Sequence, residues 1–432
     1  MMKKVREYLE TNGFSLAEVD IESLLNEFKR EMEIGLSTGG GSLQMIPAYI
    51  STGRDVPAGK PVVVVDAGGT NLRVAVVKFD ASGKPQIERF AKHRMPGTEG
   101  EVSVDQFYDT LARHVKPLLD AADDIGFCFS YAADIQPDGD ARLRHWTKQV
   151  EAPEVVGALI GSGLCDRLSG PGYRPRIVVL NDTVATLLAG RSTGMTRRFE
   201  AYVGFILGTG TNTAYMEANE AIGKIPELAK GGRMAINVES GGFAKAPRSK
   251  FDETFDATTN DPGHYQFEKM ISGGYMGGLG LTVLQCAAAD GLFTSGVAAA
   301  LRNISVLPNK DLDDFCHNPF ITTGVLGGML LSEADRRTIL ALCTPLYERA
   351  ALFTAANIAA AVLKTGAGHD PLYPVGVTVD GSTFYRTLTA ELKSRVEEHL
   401  RNILSGRSVY YQILQVDEAP LLGAAVAGLT FW

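Results

Sequence analysis

Residues 61–79 read PVVVVDAGGTNLRVAVVKF. The unbroken apolar run Val62–Val65 predicts a buried strand, and it ends in an acid and two glycines. NLRVAVVKF (71–79) alternates like a second strand, and DASGKP (80–85) turns it into a third, QIERFAKHR (86–94). An acid at a strand end followed by Gly-Gly-Thr lets backbone N–H groups and a hydroxyl approach a phosphate, while the carboxylate can hold Mg2+ through water. By itself the stretch reads equally well as a plain hairpin with a glycine turn.

A second turn of this kind lies about 140 residues further on. EAYVGFILG (200–208) and TNTAYME (211–217) are strand-like runs separated only by Thr209-Gly210. The turn offers hydroxyls and amides to a second phosphate. Between the two hairpins, the apolar strand RIVVL (176–180) runs straight into NDTVATLLAG (181–190), a helix start with Asp182 placed to cap it. A helix N-terminus favours a charged carboxylate, so Asp182 is either an N-cap or, beside two phosphate turns, a candidate general base. Paired phosphate hairpins on opposing lobes resemble the sugar-kinase, actin and heat-shock-chaperone superfamily.

The rest of the chain fits a two-lobed α/β reading. Its 432 residues suggest two domains, and a 45% hydrophobic, 21% charged composition gives a sizeable core. Forty-two basic against fifty acidic residues leave a net charge of −8 with no basic block. Neither a nucleic-acid nor an anionic-membrane partner is expected, because both need a concentrated positive field. The 47 glycines exceed the roughly 7% average, without a collagen period, so they are placed at particular turns. Five scattered cysteines with no CxxC pair argue against a disulfide framework or a zinc site, and the charged N-terminus is unlike a signal peptide. A cytoplasmic protein is expected. Residues 3–34 carry helical apolar spacing broken at Asn12-Gly13, and STGGGS (37–42) reads as a flexible break. A helix is expected near 103–121 and a strand at 125–132. The second half is helix-rich, at 264–290, 331–364 and 384–404, with strands at 373–379 and 408–415 and an apolar helix at 420–430. No short-period repeat occurs, although a turn after an apolar strand recurs at 66, 208 and 380. P-loop, Rossmann, H-E-x-x-H and G-x-S-x-G motifs are absent.

DAGGTNLRV (66–74), FSYAAD (129–134), HWTKQV (145–150), LNDTVATLLAG (180–190), LGTGTNTAYME (207–217), MAINVESGGF (234–243) and DPGHYQFEKMISGGYMGGL (261–279) together resemble hexokinase blocks, in the family's order. GLSTGGGSLQMIPAYI (35–50) and VGVTVDGST (375–383) extend the likeness, and MAIN…PRSKFD…FEKMISG looks closest to the fungal type. The resemblance implies a two-lobed ribonuclease-H-like (actin-like ATPase) fold, each lobe a mixed β-sheet with flanking helices and a cleft between. It divides the chain into an N-terminal helical segment (1–47) on the large domain, a small domain (48–182 plus 416–432) and a large domain (183–415).

By the same resemblance Asp182 takes the proton from the sugar 6-hydroxyl, with Lys148 as a second catalytic group. Ser130, Thr147, Lys148, Asn181, Asp182, Asn212 and Glu239 contact the sugar. Asp66, Gly68, Gly69, Thr70, Asn71 and Arg73 on one lobe, and Thr209, Gly210 and Thr211 on the other, hold the phosphates of ATP. Mg2+ rests on Asp66 through water, and Gly381 and Ser382 match the nucleotide-side block. The implied partners are a small-molecule hexose and ATP, in a monomer or homodimer.

Three positions depart from the family pattern. Gly278 stands where the family keeps a sugar-binding glutamate. Ser130-Tyr131-Ala132 replaces serine-Phe-Pro, which is expected to loosen a turn beside the sugar. PLLGAA (420–425) replaces S-G-x-G-A-A and is expected to alter packing on the base or ribose. The expected activity is ATP-dependent phosphorylation of a hexose at its 6-hydroxyl with lobe closure. The alternative is a weakly active or inactive sugar-binding regulator on the same fold. A chaperone-like ATPase leaves the block from Asn212 to Glu239 without a purpose.

Overall fold

Each of the two large sheets starts as an antiparallel meander and grows on one side by parallel strands. The computed structural model describes residues 2–51, 53–146, 150–193 and 198–432. Helices α1 (Met2–Thr11) and α2 (Ile21–Ser37) precede a short strand, β1 (Ile46–Pro47). The first series comprises β2 (Val62–Ala67), β3 (Asn71–Phe79), β4 (Pro85–Arg94), α3 (Val104–Val115), β5 (Asp124–Phe129), the hairpin β6 (Ala132–Ile135) and β7 (Ala141–His145), α4 (Ile160–Leu168) and β8 (Arg176–Leu180).

Helix α5 (Asp182–Thr193) leads into β9 (Ala201–Leu207), β10 (Thr211–Ala218) and β11 (Arg233–Asn237). Seven helices follow: α6 (Lys250–Asp256), α7 (Gln266–Ile271), α8 (Met276–Ala289), α9 (Ser295–Arg302), α10 (Asn309–His317), α11 (Gly324–Gly327) and α12 (Glu333–Lys364). The chain ends with β12 (Val375–Asp380), α13 (Ser382–Arg386), α14 (Leu392–Ser405), β13 (Tyr411–Gln415) and α15 (Ala419–Thr430).

One sheet has the order β4-β3-β2-β5-β8, the other β1-β11-β10-β9-β12-β13. In the first, β3 and β4 run antiparallel to β2 while β5 and β8 are parallel to it. In the second, β10 and β11 continue antiparallel from β9 while β12 and β13 are parallel to it. The hairpin between β2 and β3 therefore occupies the same topological place as the hairpin between β9 and β10. The chain holds a duplication that the absence of a short-period repeat had hidden, because it lies in strand order and not in residue identity.

Burial follows this order. All six residues of β2 are buried, as a central strand covered on both faces requires. The edge strand β4 carries charged, exposed positions that discourage pairing with another chain. Helices α5 and α15 share one apolar cluster with residues of both sheets, and Gly423 of α15 is pressed onto α5: a Cβ there would lie 1.7 Å from the Ala185 carbonyl oxygen. Helix α12 is long and apolar enough to cross a membrane by length and composition, yet most of its apolar stretch is buried inside the molecule. Its Arg349 forms a buried two-pronged pair with Asp252 at 2.7 Å and lies over the Phe14 ring.

Several expectations change. The helix over 384–404 is two helices, α13 (Ser382–Arg386) and α14 (Leu392–Ser405). The helix over 264–290 is two helices, α7 and α8, parted at Ser272–Tyr275. The amides of Gly273 and Gly274 there donate to the carbonyls of Gly208 and Thr209, each at 2.9 Å. The segment 37–42 is tied and not a loose break, since the Glu31 carboxylate accepts from both the amide and the hydroxyl of Ser42 at 2.7 Å. In PLLGAA, Pro420, Leu421 and Leu422 are buried in α15, Leu421 and Leu422 within the cluster shared with α5. They serve this core instead of facing a base or ribose.

Candidate active site

Asp66 is the next-to-last residue of β2 and is 1% exposed. It pairs in register with Arg73 across the hairpin, and an Arg73 Nη lies 2.5 Å from its Oδ2. The other Nη of Arg73 bonds to Glu418, the residue before α15, so one guanidinium links the first hairpin to the start of α15. Burial pushes the Asp66 carboxyl up to about 6 against the pull of Arg73, and the charges of Asp182 and Glu418 add to the rise. The hairpin closes with the Gly68 amide donating to Asn71 O at 2.9 Å, and Asn71 Nδ2 donates to Thr70 Oγ1 at 3.1 Å. A Cβ on Gly68 would meet nothing closer than 3.5 Å. Sterics within the chain do not demand glycine there, whereas close approach of a ligand would.

Asp182 is the first residue of α5, and Asn181 supplies the cap. The Asn181 Oδ1 accepts from the Thr183 amide at 2.8 Å. The capping role expected of Asp182 thus falls to its neighbour, because the cap is the last non-helical residue and its side chain reaches the amide two positions on. The Asp182 carboxylate accepts from Thr183 Oγ1 at 3.3 Å. Its charge is felt on both sheets: after burial, it is among the causes that push up the carboxyls of Asp66, Glu239 and Asp380.

The polar group opposite is built around Glu239. Asn212 Nδ2 donates to Asn237 Oδ1 at 2.7 Å and to Glu239 Oε1 at 3.0 Å, and Asn237 Nδ2 donates to the same Glu239 oxygen at 2.8 Å. Glu239 holds a left-handed backbone at φ 57°, ψ 49°, an uncommon conformation for a residue with a side chain and one often met at functional sites. Asn237 was not singled out from the sequence. Its signal was its place two residues before Glu239, where a strand returns to the same face. Arg144, which no sequence motif marks, bonds to Asp134 and to Gln44 (2.9 Å), and its charge reaches Glu239. Ser130 continues the β2–β5 pairing, its amide donating to Ala67 O at 3.1 Å. Thr147 and Lys148 lie outside the described residues.

In the second hairpin the Thr211 amide donates to Glu268 Oε2 at 2.8 Å and its hydroxyl to Ile206 O at 2.9 Å. Thr209 is exposed at the tip with Gly210 beside it. Gly381, at φ 115°, packs on this turn so closely that a Cβ would lie 2.2 Å from Leu207 O. Its glycine is required by backbone packing. Ser382, at the start of α13, is exposed. The charge of Asp380, just before Gly381, reaches Arg73 of the first hairpin. Both hairpins, Asp182 and the Glu239 group therefore share one electrostatic environment. Such a set can seat a chain of phosphates, hold a polyol by amides and carboxylates, and take up a proton at one carboxylate.

Two departures read differently in three dimensions. Tyr131 does not loosen its turn, since its hydroxyl donates to Gly68 O at 2.5 Å. At Gly278 a Cβ would lie 2.6 Å from Cε2 of Phe255, so a buried ring fills the direction a glutamate would start along.

Sequence models described as Hexokinase match residues 5–192 and 202–430. Hexokinase-2 of Candida albicans is 29% identical over 420 residues, covering 90% of this chain and 84% of that protein. Hexokinase-2 of Oryza sativa subsp. japonica is 31% identical over 407 residues, covering 87% and 80%. A solved hexokinase from Schistosoma mansoni, complexed with glucose, has the same fold at a TM-score of 0.81 and 24% identity, over 99% of this chain and 98% of that one.

Because Asp66 keeps its proton to higher pH when folded than the ordinary value near 3.9, the folded state binds the extra proton between about pH 4 and 6. The group's contribution to stability is therefore lost as pH rises through that window and stays lost above it. Asp66→Asn is expected to raise the melting temperature at pH 7.5, with the gain gone at pH 4; a loss of stability at pH 7.5 would contradict the assignment. Gly278→Glu is expected to cost roughly 1–3 kcal/mol by overpacking. Phe255→Val in the same chain should recover part of it. Strictly additive effects in a calorimetric double-mutant cycle would show that the two side chains do not compete.

Proposed function

The chain belongs to the hexokinase family, whose members phosphorylate hexoses, and on that premise we propose an ATP-dependent hexose 6-kinase with Asp182 as its general base. One observation carries the reading. The Asp182 carboxylate is relieved of capping by Asn181, and its charge acts at once on Asp66 beside the first hairpin and on Glu239 of the polar group.

In this reading Asn212, Glu239, Asn181 and Ser130 orient the sugar hydroxyls, Thr147 and Lys148 are further sugar contacts by family resemblance, and the 6-hydroxyl points at Asp182. The hydroxyl oxygen forms a bond to the γ-phosphorus as the bond to the bridging oxygen of ADP breaks, and Asp182 accepts the released proton. Phosphoryl transfer needs positioning and charge neutralisation more than covalent chemistry. The turns at Gly68–Asn71 and Thr209–Thr211 seat the phosphates, Arg73 meets their charge, and Gly381 and Ser382 border the nucleotide.

Mg2+ would neutralise phosphate charge, held through water by Asp66. Among the described residues no group of three His, Cys, Asp or Glu could cage a metal, which suits an ion whose other ligands are phosphate oxygens and water. Closing the two lobes on the sugar would exclude water and so limit wasteful ATP hydrolysis.

Asp182→Ala is expected to lower kcat by about 100-fold or more, the range for loss of a positioned base. A coupled ADP-release assay with glucose and other hexoses measures it, while hexose binding remains measurable by calorimetry. A fall of less than tenfold would remove Asp182 from the role of base.

A further inference from the structure

A turn that meets a phosphate must show it N–H groups and keep its carbonyl oxygens away, because a carbonyl dipole pointing at a polyanion is repelled as strongly as an amide is attracted. Glycine turns do not guarantee this. With no side chain to hinder it, a Gly-Gly peptide can rotate and exchange one face for the other. Something outside the turn must hold the carbonyls back.

The two hairpins solve the problem with different donors. In the second, the Gly208 carbonyl accepts from the Gly273 amide at 2.9 Å and from Thr383 Oγ1 at 2.8 Å, and the Thr209 carbonyl accepts from the Gly274 amide at 2.9 Å. Two of these three donors are backbone amides, fixed by the break between α7 and α8. In the first hairpin the Gly68 carbonyl accepts from the Tyr131 hydroxyl at 2.5 Å, and the Gly69 carbonyl lies 3.4 Å from the same oxygen. Gly68 has no left-handed φ, and a Cβ on it would touch nothing nearer than 3.5 Å. Local crowding therefore does not pin this peptide.

We propose that the Tyr131 hydroxyl is the tether that keeps the first hairpin turned toward the nucleotide phosphates, making Tyr131 a positioning residue for ATP. The proposal rests on the kinase reading above. Tyr131 is well placed to hold a fixed geometry. It is 4% exposed, and its ring packs edge-on against Trp146, with centroids 4.8 Å apart, and tilted against Phe129 at 4.9 Å. Trp146 is itself anchored by its Nε1 donating to Ala152 O at 2.8 Å. The adjacent residue joins the same piece of structure, since the Ser130 amide donates to Ala67 O. Burial, followed by the charge of Asp66, pushes the phenol well above its ordinary value, so it stays a donor across the working pH range.

Tyr131→Phe removes only the hydroxyl and keeps the ring. Steady-state kinetics of the full-length enzyme should show KM for MgATP raised on the order of fivefold, as expected for the loss of one net hydrogen bond, with KM for the hexose within twofold of the parent. Hydrogen–deuterium exchange of the Gly68–Asn71 peptide should quicken in the variant without nucleotide. The tether is refuted if KM for MgATP stays within twofold, if both KM values rise together, or if only the melting temperature falls. A parent enzyme that phosphorylates no hexose with ATP would overturn the kinase reading instead, and the exchange rates would then decide the tether alone.

Discussion

The orientation of two glycine turns is the constraint on which the other features depend. In the proposed reading a phosphate chain meets the amide face of each turn, and glycine leaves either face available. The molecule fixes the choice from outside each turn. At the second hairpin the break between α7 and α8 at Ser272–Tyr275 frees the amides of Gly273 and Gly274 to donate to the Gly208 and Thr209 carbonyls. Residue 381 must be glycine because Leu207 O lies where a side chain would begin. At the first hairpin a single phenol takes the same part.

The site also concentrates negative charge. Burial pushes up the carboxyls of Asp66, Glu239 and Asp380, and the charge of Asp182 adds to the rise in each. Arg73 offsets part of this by joining Asp66 to Glu418. Like charges and a left-handed glutamate work against stability, a familiar trade at sites that must bind charged ligands. The buried contact of α5 with α15, closed at Gly423, lies beside this strained region and supplies a rigid base from which Asp182 and Glu418 project.

Much of this was legible in the chain itself. Both hairpins announce themselves because apolar runs bracket glycine-bearing turns (Gly68-Gly69 and Gly208-Thr209-Gly210), and Asp182 stands out at a strand-to-helix junction. Legibility failed where the deciding contact is distant. The Tyr131 hydroxyl bonds to a residue 63 positions earlier, which no local period encodes. At α5, Asn181 and Asp182 are both good caps, and only the backbone decides that Asn181 takes the role. PLLGAA looked like a ligand-facing block, although Leu421 and Leu422 sit in a helix packed against α5. The likeness of the two sheets is carried by strand order, so residue-level comparison of the halves could not reveal it.

The most direct measurement of the whole account is a structure of the enzyme with a hexose and a non-hydrolysable ATP analogue bound together. The account predicts the sugar 6-hydroxyl within hydrogen-bond distance of an Asp182 carboxylate oxygen. It also predicts the analogue's phosphates against the turns at Gly68–Asn71 and Thr209–Thr211, with the Gly68 carbonyl still bonded to Tyr131. A sugar whose 6-hydroxyl points away from Asp182, or phosphates seated away from both turns, would contradict it.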